Sequence, residues 1–326
     1  MVLITGGSGY LGGRIAEYLR KSGYSVRIGT SRDKIEPDEF HSSYEIVKLN
    51  LLDSKSLEAA CTNVSIVIHL AAMNAQLCAQ EPKKASQINI DGTSNLINAA
   101  IKENVDKFIY FSTAHVYGSP LEGNIIEDIQ PSPQHPYAST HYFAEEYVVN
   151  AAENKLIDGV VLRLSNAIGT PLHKNVNCWM LVSNDLCRQV ITKKIMTIRS
   201  NVFLERDFIS ISEVCQAVEK IILNLNLKNG IFNLSSGSSL TLMDLANLIS
   251  KRSAEILKYT PRIELASKEN HPLIKNIPLF ISNNKLMEHG VKINQEISEE
   301  IDDSVSYTHL RAHETPEHLV CRLLLE

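Results

Sequence analysis

The sequence predicts an α/β fold, a doubly wound parallel sheet with a smaller C-terminal lobe, and three observations carry that prediction. Short, mostly apolar runs of strand length recur at Val2–Thr5, Ser25–Thr30, Ile66–Ala72 and Gly159–Leu164, as expected of strands covered on both faces. The first run feeds a glycine turn, after which Leu11, Ile15 and Leu19 recur at helical spacing until Gly23, so a strand passes through a tight turn into a helix. From Leu240 the pattern becomes helical, with Leu240, Leu242, Leu245 and Leu248 as its apolar positions and an acidic helix near Ile297. A chain of 326 residues has room for both parts.

Composition narrows the function classes. Hydrophobic residues make up 44%, charged residues 21%, and the net charge is -5, which offers no basic surface for nucleic acid. The six cysteines, Cys61, Cys78, Cys178, Cys187, Cys215 and Cys321, show no CxxC spacing, so neither a metal site nor a disulfide framework is expected. No apolar run is long enough to span a bilayer and no basic leader opens the chain, so the expectation is a cytoplasmic protein without a membrane partner.

The turn itself reads Gly6-Gly7-Ser8-Gly9-Tyr10-Leu11-Gly12. Gly6 makes the bend, Gly9 lets backbone approach phosphates, and Gly12 lets the helix pack on the strand, while the helix N-terminus presents free N–H groups to a pyrophosphate. This is the Rossmann dinucleotide arrangement. At the end of the second strand, where an acidic residue would hold the ribose hydroxyls of NAD, stand Ser31 and Arg32. A guanidinium there pairs with a 2′-phosphate, so NADP is preferred over NAD, with Asp33 as the residue able to reverse that and a solvated loop charge as the plain alternative for Arg32.

Three further segments, Asn89-Ile90-Asp91-Gly92-Thr93, Phe108 to Gly118 and Pro136 to Glu145, resemble in order and spacing the extended short-chain dehydrogenase/reductase family of NAD-dependent epimerases and dehydratases acting on nucleotide sugars. By that resemblance Gly6, Gly9, Tyr10, Leu11, Gly12, Arg32, Asn50, Leu51, Leu70, Ala71, Ala72 and Asn89 would surround the dinucleotide; Asn50 stands where relatives usually carry Asp. Thr113 would hydrogen-bond a substrate oxygen and Tyr137 would exchange the proton as hydride moves. His141 departs from the family's lysine four residues after the tyrosine. It either fills the lysine's place toward cofactor and catalysis, or leaves Tyr137 less acidic, favouring a ketoreductase's proton donor. Ala114-His115 replaces the acidic pair of the sugar dehydratases, with His115 as an unusual acid/base group or a structural loop histidine.

The same resemblance places the substrate. Leu162 to Gly169 is similar to the family's LRxxNxxG segment, putting Asn166 at the phosphates or reactive sugar and Asn177 near the base or ribose, whereas Trp179 reads as packing. Glu205-Arg206-Asp207 to Ile211 matches an element whose arginine grips a diphosphate; Arg206 takes that role unless it pairs locally with Asp207. The implied activity is a nucleotide-sugar epimerase or 4-ketoreductase, with a dehydratase or a non-catalytic dinucleotide binder as alternatives. The substrate is a nucleotide-diphosphate sugar, and a homodimer would form through helices at Ala85–Lys102 and Tyr137–Ala152. The expected domains are 1–172 for the dinucleotide, rejoined at 207–236, and 173–206 with 237–303 for substrate. Residues 304–326 resemble a translated sequencing-library adapter, matching one constant end at Val305–Thr315 and the other at Leu319–Glu326. The expectation is a non-native tail lacking the preceding helix's pattern, its His309, His313, His318 and Cys321 without metal or redox meaning.

Overall fold

The structure, a computed structural model, describes residues 1–32, 41–173, 176–266, 277–294 and 296–312. Its centre is a seven-stranded sheet built from β1 (Val2–Thr5), β2 (Val26–Thr30), β3 (Glu45–Lys48), β4 (Ile66–His69), β5 (Lys107–Thr113), β6 (Asp158–Leu164) and β7 (Gly230–Leu234). The spatial order is β7-β6-β5-β4-β1-β2-β3, and every pairing is parallel. The apolar runs become strands because both faces are covered: Val2, Leu3 and Ile4 are buried, as are Phe108, Ile109 and Tyr110. Two cores flank the sheet. One gathers Ile4, Ile15, Ile28 and Val214 under the helices Tyr10–Lys21 and Ile211–Leu223; the other gathers Leu3, Leu57, Leu96, Phe108 and Val148.

Chain order reverses between β1 and β4, the point where doubly wound sheets open a crevice at their carboxyl edge. Glu205–Ser210 does not join the main sheet. It pairs with Asn166–Ile168 and Ser239–Thr241 in a separate three-stranded sheet, so the chain's return to the main sheet is made by β7, after the helix Ile211–Leu223 has packed on Tyr10–Lys21.

A third core holds Leu186, Val190, Met196, Phe208, Leu242, Leu245, Ile249, Ile297 and Ile301. It is enclosed by the helices Val182–Lys193, Leu242–Leu257 and Ser298–Ala312. The last helix continues past Asp303. No break falls at Ser304: Ile297, Ile301 and Val305 follow one another at four-residue spacing into this core, and Ser304 and Thr308 are buried beside them. Helical periodicity therefore runs through the first residues of the adapter-like stretch; His313, His318 and Cys321 lie outside the described residues.

Candidate active site

The glycine turn closes on itself. Gly6 adopts φ +69, and a Cβ there would sit 3.1 Å from the backbone nitrogen of Ala71; a Cβ on Gly9 would sit 3.0 Å from the Gly6 carbonyl oxygen, and one on Gly12 would overlap that oxygen outright. Gly9 caps the helix Tyr10–Lys21 without a side-chain bond, and no acidic residue occupies the first turn. The unsatisfied N–H groups and positive end of the dipole therefore face the crevice unopposed. A cleft of about 490 Å³ lies there, lined by Gly6, Gly9, Arg32, Asn50, Leu51, Ala71 and Ala72 among the expected residues. This cradle suits a dinucleotide.

Other expected cofactor residues sit around the cleft rather than in its wall. Tyr10 directs its hydroxyl away, donating 2.7 Å to the Gly169 carbonyl, and Gly12 lies beneath Gly6. Leu11 and Leu70 pack against the core, and the Leu70 N–H donates to the Thr5 hydroxyl. Asn89 is buried in a π-helical turn, Ser86–Asp91, where its amide accepts from the Met73 N–H at 2.8 Å and donates to the Thr140 hydroxyl at 3.0 Å. It is a latch between the loop after β4 and the helix Pro136–Glu153. Asn50 accepts from the Leu52 N–H. Arg32 is exposed and makes no side-chain hydrogen bond or ion pair among the described residues; Asp33 lies outside them.

The residues expected to serve hydride transfer gather at the carboxyl edge of β5. Thr113 ends that strand, buried, and its hydroxyl accepts from the His115 N–H at 3.2 Å, which leaves its own proton for a ligand oxygen. Tyr137 opens the helix Pro136–Glu153, capped by His135, whose ring accepts from the Tyr137 N–H at 3.1 Å. Burial, and then Cys78, push the phenol up to about 12. One turn on, His141 stacks edgewise on Tyr137 with centroids 4.5 Å apart and reaches the Tyr110 hydroxyl with Nδ1 at 2.8 Å. Burial lowers its pKa to about 4, and Nε2 is enclosed without a partner. His141 stands where the resemblance puts the family's lysine, but its Nδ1 is taken by Tyr110 and burial keeps the ring neutral at pH 7, so it brings no cation to Tyr137.

Arg206 and Asp207 do not pair. The buried Asp207 carboxylate takes the Ser165 hydroxyl at 2.5 Å, the Ser236 hydroxyl and N–H at 2.9 Å each, and the Gly237 N–H at 2.9 Å. Arg206 is left without an anion among the described residues, and burial lowers its pKa. His115 is solvent-accessible; desolvation by the surrounding protein, then the positive Arg206 and His135, hold its pKa below the usual value. Arg206 thus sets a cation beside His115. Asn166 donates to the Asp207 carbonyl at 2.9 Å, so its amide N–H serves the small sheet; Asn177 is exposed, and Trp179 packs under the Arg188 guanidinium at 5.1 Å.

Sequence reasoning missed Ser8, Thr30, Met73 and Lys84 in the cleft wall, and Tyr110 as the partner of His141. A tyrosine in the middle of an otherwise aliphatic and phenylalanine-bearing run was the available signal, because a buried phenol needs a hydrogen-bond partner.

Comparisons with known proteins agree with this geometry. A match to the NAD dependent epimerase/dehydratase family covers residues 2–235. UDP-glucose 4-epimerase of Schizosaccharomyces pombe is 29% identical over 296 residues, covering 80% of this chain and 82% of its own. Among solved structures, UDP-glucose 4-epimerase of Thermus thermophilus in complex with NAD superposes with a TM-score of 0.76 at 23% identity, covering 95% of this chain and 98% of that one. RMD of Pseudomonas aeruginosa complexed with NADPH gives 0.75 at 21%, covering 95% and 99%. The chain belongs to the NAD dependent epimerase/dehydratase family.

Proposed function

We propose that this protein reduces a keto group on the sugar of a nucleotide-diphosphate sugar, with NADPH as the preferred hydride donor. The observation that carries the reading is Tyr137: burial raises its pKa to about 12 and no cation beneath it brings that down, so it rests as a proton donor. The bound dinucleotide supplies the hydride. Tyr137 gives a proton to the carbonyl oxygen as charge develops there, and Thr113, whose lone pair is already occupied by the His115 N–H, points its own hydroxyl at the same oxygen. Arg206, unpaired and backed by a strand that Asp207 pins, holds the diphosphate, with His115 and Asn177 toward the rest of the nucleotide sugar. Arg32 at the cleft rim supports the 2′-phosphate preference. A second reading, 4-epimerisation, is favoured by the likeness to the fission-yeast epimerase over most of both chains.

The helix Pro136–Glu153 exposes Phe143 and Tyr147 one turn apart while burying Ala144 and Val148. That outer stripe supports a homodimer through this helix and Gly92–Lys102. No helix among the described residues is long and apolar enough to cross a membrane, and a cytoplasmic location is part of the proposal.

The test uses the whole chain: identify any co-purified dinucleotide, then follow reduced-nicotinamide absorbance with nucleotide 4-keto sugars. Stoichiometric NADPH loss is expected, and Tyr137→Phe should lower kcat by about 100-fold or more. Retained NAD with sugar interconversion and no net absorbance change would establish the epimerase and sink the NADPH preference.

A further inference from the structure

Behind the Tyr137 ring runs a chain of buried polar groups that fixes which hydrogens go where. The Thr5 hydroxyl accepts the N–H groups of Leu70 and Ala71, at 3.2 and 3.1 Å, so its single proton goes to His69 Nδ1 at 2.7 Å. His69 is then protonated on Nε2, which faces the Thr93 hydroxyl at 3.0 Å, and Thr93 gives its own proton to the Asn89 carbonyl at 2.6 Å. Thr93 has no proton left for Tyr110, beside it. The Tyr110 hydroxyl must find an acceptor, and the nearest strong one is His141 Nδ1 at 2.8 Å. A phenol is the better donor and an imidazole nitrogen the better acceptor, so the O–H points to the ring.

We propose that Tyr110 is a positioning residue that holds His141 as its Nε2–H tautomer, and that this fixed imidazole sets the Tyr137 ring from behind rather than touching cofactor or substrate. Burial and contact support it: His141 is almost wholly enclosed, Nε2 meets no oxygen or nitrogen, and its ring stands at 66° to Tyr137. The surrounding titratable groups leave that arrangement intact. His69 faces it from β4, Tyr110 from β5, and Cys78 lies by Tyr137, while Glu145, one turn further along the helix, is fully engaged by Arg163 at 2.7 Å and by the Ser112 hydroxyl. The pair thus rests on the reading of Tyr137 as proton donor and adds what holds that donor in place.

The experiment is nitrogen NMR of the full chain labelled with ¹⁵N-histidine, with the His141 signal assigned by its loss in His141→Asn. The expected result is an Nε2-protonated ring that does not titrate between pH 5 and 8. In Tyr110→Phe the ring loses its fixed tautomer, kcat falls about 10-fold with KM for the nucleotide sugar within twofold, and a new inflection enters the kcat profile below pH 7. A purely structural loss would lower activity equally at every pH. An Nδ1–H tautomer in the unmodified protein, or a variant profile parallel to the original, overturns the proposal. The tautomer is read on resting protein, so a chain that turns over no nucleotide sugar would count against the proposed reaction alone.

Discussion

At the scale of single residues, two histidines carry a cost that pH exposes. His69 and His141 are buried, and burial depresses their pKa values to about 3 and about 4. Their unfolded value is about 6.5, so between pH 6.5 and 4 the unfolded chain binds protons that the folded one refuses. Stability from these groups is complete above pH 6.5 and drains away as pH falls, by roughly 1 kcal/mol per pH unit for each ring. The carboxylate Glu17, held near 2 by hydrogen bonds from Arg20 and Tyr44, begins to lose its contribution only below its ordinary value of 4.5. The urea midpoint should therefore drop between pH 7.5 and 5, and the drop should flatten in a His69→Asn/His141→Asn variant that still folds. An unchanged slope in that variant would remove the histidines as its cause. Neither environment could be read in advance. A histidine at the end of an apolar run shows its burial only once Phe108 and Tyr110 from the neighbouring strand close over it.

Elements were legible where local chemistry and tertiary packing ask for the same thing. The turn from β1 into its helix is such a place, since Gly6, Gly9 and Gly12 are each demanded by a contact that a Cβ would spoil. The π-helical turn that sinks Asn89 was not legible, because it depends on a distant threonine and a loop N–H. Lys107 makes the same point. A lysine opening a strand reads as an exposed edge, yet here it is buried, and its ammonium donates to the carbonyls of Ile221, Asn224 and Leu227 at 3.0, 3.2 and 3.0 Å. Those carbonyls end the helix Ile211–Leu223 and begin the turn into β7, so one side chain satisfies what would otherwise be orphaned acceptors. Lys107→Met removes a desolvated charge but strands three carbonyls, two of them buried, and the second effect is the larger. The expected loss is about 2–3 kcal/mol of unfolding free energy by urea titration; an equal or more stable variant would show that water can replace the cap.

For the whole molecule the question is what couples the sheet to the C-terminal lobe, and the answer lies in Glu300. This buried carboxylate sits on the last helix and accepts from both Arg14 nitrogens, at 2.6 and 3.1 Å, and from the Ser212 hydroxyl and N–H at 2.6 and 3.0 Å. Arg14 belongs to the helix whose N-terminus forms the dinucleotide cradle, and it also reaches the Thr170 carbonyl at 3.0 Å where the chain leaves for the lobe. Three segments meet on one carboxylate, and a Cβ on Gly169 would collide with it. Nothing in the local sequence joins positions 14 and 300, which is why this contact was invisible before folding. Removing one partner of such a buried pair leaves the other charge uncompensated, and that penalty exceeds what the intact pair contributes over an apolar substitute. Glu300→Ala should therefore cost about 3 kcal/mol or more, read as a lower urea midpoint. Glu300 meets the first helix through the Arg14 side chain, while the cradle glycines are held by backbone contacts of their own. Dinucleotide affinity should therefore stay within about threefold, while KM for the nucleotide sugar, which in the proposed reading is held at Arg206 and His115, should rise by about tenfold. Equal loss of dinucleotide and sugar binding would mean that Glu300 supports the sheet itself and that the lobe is held by its apolar contacts alone.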